Sequence, residues 1–311
     1  MRSEEEMYRL LLETAKADDR ILAVYMNGSR TNPKVSKDIF QDYDIVYVVG
    51  ETKTFIQDRD WIHRFGKILY MQYPDEHPDY ESDKENHYGW LMQFEDGVRI
   101  DLTVQTIRFA REHIHEDRLC RILLDKENIL PSVPESTDED YYVKKPTKPQ
   151  FQACANEFWW CSNNIAKGLW REEMPYVQDM ANFVVRKQLE KMLSWKVGIE
   201  TDFQVSVGKS AKYLYRWLEP EEYQGYLDTY FGGNIGEAWR AVFHMCSLFE
   251  RTAEHVGSRL GYTYNAAEGK AARGFLEYVW KLPKDGLGNM EMIGCQGHDD
   301  IRRKREYDYE K

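Results

Sequence analysis

Three aspartates carry the chemistry that this sequence suggests. Asp42 and Asp44 stand two apart at the head of the apolar run Ile45 to Val49. Asp101 stands in a later run, where Val98, Ile100, Leu102 and Val104 alternate with Arg99, Asp101, Thr103 and Gln105. Side chains alternate faces along a strand, so Asp42 and Asp44 point the same way, about 7 Å apart by the strand rise. Two such carboxylates can converge on a divalent cation, and hard oxygen ligands suit magnesium or manganese rather than zinc. The competing reading of a bare Asp-x-Asp pair is a turn or a solvated strand edge. Asp101 argues for the metal, because a lone buried carboxylate is costly. A cation shared with Asp42 and Asp44 accounts for it better than a salt bridge to Arg99, since residues two apart on a strand meet only at the ends of long side chains.

The elements that must position these acids follow. Ile21 to Met26 is short and apolar, as a buried strand is, and Gly28 with Ser29 follows at once. Glycine lets the chain turn there and approach a ligand closely, and serine adds a hydroxyl. The polar stretch Thr31 to Phe40 reads as irregular, and Tyr43 to Val49 as the second strand. Further elements are a helix over Ser3 to Ala17 with a Ser3/Glu6 capping box, a short helix near Asp60 to Phe65, and a strand near Ile68 to Gln72. Tyr88 to Phe94 and Val98 to Thr106 form a hairpin around Glu95 to Gly97, with a helix over Ile107 to Glu116 and a strand over Arg121 to Leu124 after it. Tyr73 to Asn86 is too polar for a core and reads as a solvated surface loop rather than a flap. His113 and His115, two apart on a helix, share no face and make no metal site.

The arrangement of Gly28 and Ser29, Asp42 and Asp44, then Asp101 on a later strand resembles the nucleotidyltransferase superfamily, with its polymerase-beta-like fold. The wider wording of Asn27 to Pro33, Asp38 to Val46 and Arg99 to Thr103 resembles the aminoglycoside 6-adenylyltransferases, also called streptomycin adenylyltransferases. The likeness continues through Gly208 to Leu214 and covers nearly the whole chain. It implies transfer of AMP from ATP to a hydroxyl of an aminoglycoside, above all the 6-hydroxyl of streptomycin, with resistance to the antibiotic as the outcome. It also implies two magnesium ions on Asp42, Asp44 and Asp101, in-line attack on the α-phosphate and loss of pyrophosphate. Asp101 is the first candidate to accept the hydroxyl proton, with Glu85 or Glu95 as alternatives. Gly28, Ser29 and Arg30 are expected at the nucleotide, with Lys209 and Lys212 holding its phosphates. The alternatives are AMP transfer to a protein or another small alcohol, and a catalytically idle nucleotide-binding regulator.

The implied fold is α+β: an N-terminal nucleotidyltransferase domain over residues 1–145, with a mixed sheet and flanking helices, then an all-α bundle over 146–285. Residues 286–311, glycine-rich and then strongly charged, read as a loosely held tail. The boundary is marked by the Pro-, Ser- and acid-rich stretch 131–140. Helices are expected over 151–169, 175–197, 208–217, 220–230, 235–260 and 266–281. Gly208, Lys209 and Ser210 are not a Walker loop, because Phe203 stands where that motif needs glycine. What remains is Lys209 and Lys212 at the start of a helix, whose amides and ammonium groups would suit polyphosphate. The site is expected in the cleft between the two domains.

Composition narrows the partners. The net charge of −11 argues against nucleic acid and fits a cationic substrate such as streptomycin. Glu172, Glu173 and Asp179 are candidate partners for its guanidinium groups, with Trp159, Trp170 or Tyr176 as an aromatic surface. The five cysteines include no CxxC pair and read as reduced thiols. Neither a leader nor an apolar stretch near the ~18 residues of a membrane helix is present, so a cytoplasmic protein off the membrane is expected, monomer or homodimer.

Overall fold

The computed structural model describes residues 1–284, and it divides into two compact units, 1–140 and from Tyr141 onward. The expected tail over 286–311, with Cys295, lies outside the described residues. The fold is α+β.

The first unit is a six-stranded mixed sheet. Helix α1 (Glu4–Ala17) opens it, with the capping box of Ser3 and Glu6 satisfied in both directions. The strands are β1 (Ile21–Asn27), β2 (Tyr43–Val49), β3 (Ile68–Gln72), β4 (His87–Phe94), β5 (Arg99–Thr106) and β6 (Cys120–Asp125), in the order β3-β4-β5-β2-β1-β6. Only the β2–β5 pair is parallel; the other four are antiparallel. Short helices α2 (Lys53–Gln57) and α3 (Ile107–His113) flank it, and Trp61–Phe65 forms a 3₁₀ turn.

Period-two burial gives the sheet two unlike faces. Tyr43, Ile45, Tyr47 and Val49 of β2, with Ile100, Leu102 and Val104 of β5, join Met7 and Leu11 of α1 in the larger core. Tyr47 donates its hydroxyl to the carbonyl of Leu11 at 2.7 Å, which ties the helix to the sheet. Val46 and Val48 pack on the opposite face in a smaller core with Tyr25, Ala110 and Ile114. Asp42 and Asp44 belong to that second face by the same alternation.

The second unit is helical. It comprises α4 (Lys148–Arg171), α5 (Met174–Asp179), α6 (Arg186–Glu200), α7 (Pro220–Leu227), α8 (Ile235–Leu260) and α9 (Ala266–Lys281). A π-helical segment, Met180–Val185, joins α5 to α6, so one continuous helical rod runs where a single helix is expected. Phe151, Phe158, Trp159, Leu189, Phe249 and Leu276 lie in its core, where Phe158 and Phe249 stack at 3.7 Å. Arg186, 2 % exposed, is satisfied by Asn182, Thr229 and the ring of Tyr230. Cys120, Cys154, Cys161 and Cys246 are free and buried, and no described helix is long and apolar enough to cross a membrane.

One expectation is corrected and one is refined. No α-helix forms over 208–217; the segment folds as 3₁₀ turns at Lys209–Ala211 and Leu214–Arg216, with Ser210 and Ala211 at left-handed φ of 56° and 59°. The amides of a helix start are therefore not available for phosphate there. The stretch Tyr73 to Asn86 is the largely exposed loop expected, except that it turns through Pro74–Glu76 and buries Asp75. The Asp75 carboxylate accepts from the amide of Gly89 at 2.7 Å and from Ser82 Oγ at 2.5 Å, and His87 Nδ1 lies at 3.4 Å. Acidity disguises this residue as a loop residue in the sequence, whereas its hydrogen bonds pin the loop to β4. Replacing Asp75 with alanine strands a buried amide, which costs about 1–3 kcal/mol. Asp75→Ala is expected to lower the urea midpoint and to open the Lys84 bond to trypsin, as read by limited proteolysis; an unchanged digestion pattern would contradict the anchoring role.

Candidate active site

The site begins with the turn that ends β1. Gly28 adopts φ +77°, and a Cβ placed there would lie 2.1 Å from Asp44 Oδ2. Glycine is required twice, by the left-handed backbone and by the approach of the carboxylate. The amide of Gly28 donates to Leu119 O at 3.0 Å, and Thr31 Oγ1 returns to Gly28 O at 2.8 Å, which fixes the turn. Ser29 opens the 3₁₀ turn Ser29–Thr31. Arg30 reaches across the following loop. Its Nε and Nη2 donate to the carbonyls of Asp42 and Gln41 at 3.0 and 2.8 Å, and its guanidinium lies 3.7 Å above the ring of Tyr43. The guanidinium is thereby committed to holding the approach to β2.

The three aspartates come together. In the parallel register, Asp44 of β2 stands opposite Asp101 of β5, so the two side chains leave the sheet on one face. Asp42 precedes Asp44 by two and shares that face. Burial raises the Asp44 carboxyl first, and the charges of Asp101 and Asp42 add to it, lifting it to about 6. Burial likewise raises Asp42, against the pull of Arg99.

Arg99 is the feature that the sequence reasoning set aside. Its Nε and Nη2 each donate to Asp101 at 2.7 Å, and its Nε lies 3.6 Å from Asp42 Oδ2. The side chains at positions 99 and 101 point to one face, and the arginine stem is long enough to fold back as a fork, so the disfavoured salt bridge forms. Its charge is stabilised chiefly by the hydrogen bonds to Asp101, which raise the guanidinium pKa further.

The donor set fits a divalent cation. Three carboxylates gathered on one face, with Asp44 resisting ionisation first because it is buried and further because of the charges of Asp101 and Asp42, form a cluster of hard oxygens. As the side chains stand, no group of three His, Cys, Asp or Glu among the described residues is in ligating array. Of the other proton acceptors considered, Glu95 pairs with Lys67 at 2.8 Å, and Glu85 is exposed just before β4, whose His87 pairs with Gln105.

The remaining candidates lie in the second unit. Lys209 and Lys212 are exposed, the latter 5.0 Å from the ring of Tyr213. Beside their turn is a cavity of about 1160 Å³, lined among others by Lys144, Lys145, Lys187, Lys191, Trp195 and Gly208. Its four lysines exceed its two glutamates, Glu157 and Glu190. The sequence reasoning missed this basic wall because its members are spread over some fifty residues; lysines at 187 and 191, one helical turn apart, were the available signal. Glu172, Glu173 and Asp179 are exposed; Glu172 pairs with Lys284 at 2.8 Å, and Arg171 lies 3.9 Å from Glu173. Trp159 cannot present a surface to a ligand, because it is 2 % exposed and donates Nε1–H to Tyr264. Tyr176 remains exposed, and Trp170 is half-buried with Nε1–H given to Leu282 O.

Comparison with known proteins meets this geometry. The family model described as streptomycin adenylyltransferase matches residues 1–279. An aminoglycoside 6-adenylyltransferase of Campylobacter jejuni is 36% identical over 264 residues, 85% of this chain and 91% of that one. One from Bacillus subtilis is 35% identical over 265 residues, 85% of this chain and 93% of the other. A crystal structure of an aminoglycoside 6-adenyltransferase from Bacillus subtilis, 30% identical, covers 90% of this chain and 100% of its own with a TM-score of 0.45. On the match to the family model and on these identities, the chain belongs to the streptomycin adenylyltransferase family and is a nucleotidyltransferase.

Proposed function

We propose that the protein transfers AMP from ATP to a hydroxyl of an aminoglycoside, the 6-hydroxyl of streptomycin in the first instance, and that this modification confers resistance to the drug. The observation that carries the reading is the pairing of Asp44 with Asp101 across β2 and β5, with Asp42 on the same face. Relatives named aminoglycoside 6-adenylyltransferases support the choice of acceptor.

The substrate oxygen attacks the α-phosphorus, the new O–P bond forms, the bond to the bridging oxygen breaks, and pyrophosphate leaves with its electron pair. Asp101 accepts the hydroxyl proton; Glu85 and Glu95 lack its place among the acids. Two magnesium ions held by Asp42, Asp44 and Asp101 supply, when bound, the charge that neutralises the polyphosphate and acidifies the hydroxyl. Gly28 lets the Asp44 carboxylate stand against the main chain, and Arg30 holds Asp42 in register. Ser29 and the amides of its turn are assigned to phosphate oxygens. Lys209, Lys212 and the four lysines of the neighbouring cavity are assigned to the polyphosphate, a positive patch on a chain of net charge −11. The acids Glu172, Glu173 and Asp179 are assigned to the cationic substrate.

Pyrophosphate release from ATP and magnesium, followed across a panel of aminocyclitols, is expected with streptomycin; a panel without any active member would overturn the choice of acceptor. Asp42→Asn and Asp44→Asn are expected to keep the circular dichroism of the wild type and to lower turnover by at least ~100-fold, more than loss of an outer-shell partner costs. Gly28→Ala is expected to match Asp44→Asn, because the added methyl displaces that carboxylate. Turnover near wild type in both asparagine variants would overturn the reaction scheme.

A stability measurement tests the electrostatics separately. Folded Asp44 keeps its proton up to about pH 6, whereas in the unfolded chain it ionises near its ordinary 3.8. Between those values the native state binds more protons, so rising pH lowers wild-type stability. An asparagine side chain in its place cannot ionise. In EDTA, the melting temperature of Asp44→Asn relative to wild type should therefore climb from about pH 4 to about pH 6 and stay level above. A constant difference across that window would contradict the raised carboxyl.

A further inference from the structure

The reaction proposed above gives Arg99 no task, yet its guanidinium sits inside the acid cluster. The fork of Nε and Nη2 engages both oxygens of Asp101 at 2.7 Å, and the same Nε is 3.6 Å from Asp42 Oδ2. Arg99 thus lies against two of the three carboxylates assigned to the cation. Its setting differs from that of Arg30. The hydrogen bonds of Arg30 end on main-chain carbonyls, and its side chain is 9 % exposed over Tyr43, so it stays in place when a cation arrives. The hydrogen bonds of Arg99 end on a carboxylate, the very group that a cation takes. Its side chain is 42 % exposed at the first residue of β5.

We infer that Arg99 is an intrinsic counter-cation of the acid cluster: it holds Asp101 and Asp42 in the absence of a divalent ion, and it must release Asp101 for that ion to bind. The inference rests on the reading of the three aspartates as a cation site. Three carboxylates gathered on one sheet face repel one another, and a guanidinium among them supplies the missing positive charge. A divalent ion does the same with more charge, but it needs carboxylate oxygens at about 2.0–2.6 Å, and a guanidinium a few ångströms away repels it. Arg99 and the ion therefore compete for the same oxygens. The arginine keeps the free site from splaying and simultaneously weakens its hold on a bare ion, so Arg99 is a positioning residue that sets the metal affinity.

Manganese binding without nucleotide, followed by calorimetry and by the loss of the free-ion paramagnetic signal, tests this. Arg99→Met keeps the stem and removes the charge; it is expected to bind manganese at least about ten-fold more tightly than wild type, since a neighbouring like charge is gone. Arg99→Lys, which keeps the charge but cannot form the fork, is expected to tighten binding by a smaller factor. In EDTA, Arg99→Met should melt below wild type, and manganese should close that gap, which a purely structural arginine would not allow. Manganese affinity equal to or weaker than wild type in a folded Arg99→Met overturns the inference alone. If that variant fails to fold, Arg99→Lys decides by the same criterion. If neither wild type nor either variant binds manganese, and Asp44→Asn changes nothing, the cation-site reading itself falls and takes the inference with it.

Discussion

The parallel pairing of β2 with β5 is the constraint on which the rest of the site depends. It sets Asp44 directly opposite Asp101, and like charges opposite one another on a sheet are destabilising. A protein selected for stability alone would not keep that pair. Around it, the chain supplies responses of different kinds. Burial holds a proton on Asp44 up to about pH 6, Arg99 forks onto Asp101, and Arg30 fixes the carbonyls of Gln41 and Asp42 so that the acids cannot drift apart. Each response limits the cost of the cluster without dispersing it.

The sheet makes the cluster possible by having unequal faces. The face that carries α1 is packed from Met7 to Phe94 and is apolar apart from aromatic hydroxyls and an indole that find hydrogen-bond partners. The opposite face has a smaller core around Tyr25, Val46, Val48 and Ala110, which leaves Asp42, Asp44 and Asp101 partly open to solvent at its edge. A slip of one residue in β2 would exchange the faces and bury both acids under the helix. The register is therefore specified by the hydrophobic alternation, and the chemistry depends on it. Gly28 enters as the neighbour that must have no side chain, because the carboxylate of Asp44 occupies the place of a Cβ.

How far all this was legible depends on the range of the interaction concerned. Strand β2 and strand β3 are read from the sequence at their observed bounds, and the shared face of Asp42 and Asp44 follows from alternation, whereas the place of Asp101 beside them needs the β2–β5 register. The capping box of Ser3 and Glu6 is equally local. Where a residue acts against its type, sequence reasoning fails. Asp75 looks solvated and is buried, because its partner amide belongs to Gly89 on another strand. The segment after Gly208 has helical spacing, but Ser210 and Ala211 turn left-handed, and the amide of Tyr213 returns to Val207 O instead of continuing a helix. The spacing of Arg99 and Asp101 disfavours a salt bridge between strand neighbours, but a guanidinium folds back far enough to form one. The lysine-lined cavity draws on Lys144, Lys145, Lys187 and Lys191, which only the packing of the helical unit brings together.

The two units divide the charge, and the proposed substrates divide it in the same sense. An acid cluster in the first unit suits a cation, and the basic wall in the second suits a polyanion, although the chain as a whole carries −11. Net charge alone pointed to a cationic ligand and said nothing of where an anionic one would be held. On the proposed reaction, a chain that accepts both ATP and a polycationic sugar cannot be uniformly charged where it holds them, since any field that attracts one repels the other. Local compensation resolves the conflict. Arg99 partly answers the acids through Asp101 and Asp42, and the lysines of the cavity are partly answered by Glu190, which Lys187 meets at 2.8 Å. Charge that is held in pairs can be exchanged for charge on a ligand at little net cost, whereas bare charge would have to be screened by solvent. On this view Arg99 keeps a seat of the opposite charge occupied until the ligand takes over, whereas Glu190, which also accepts from the Tyr226 hydroxyl at 3.1 Å, tempers the basic wall from a fixed place.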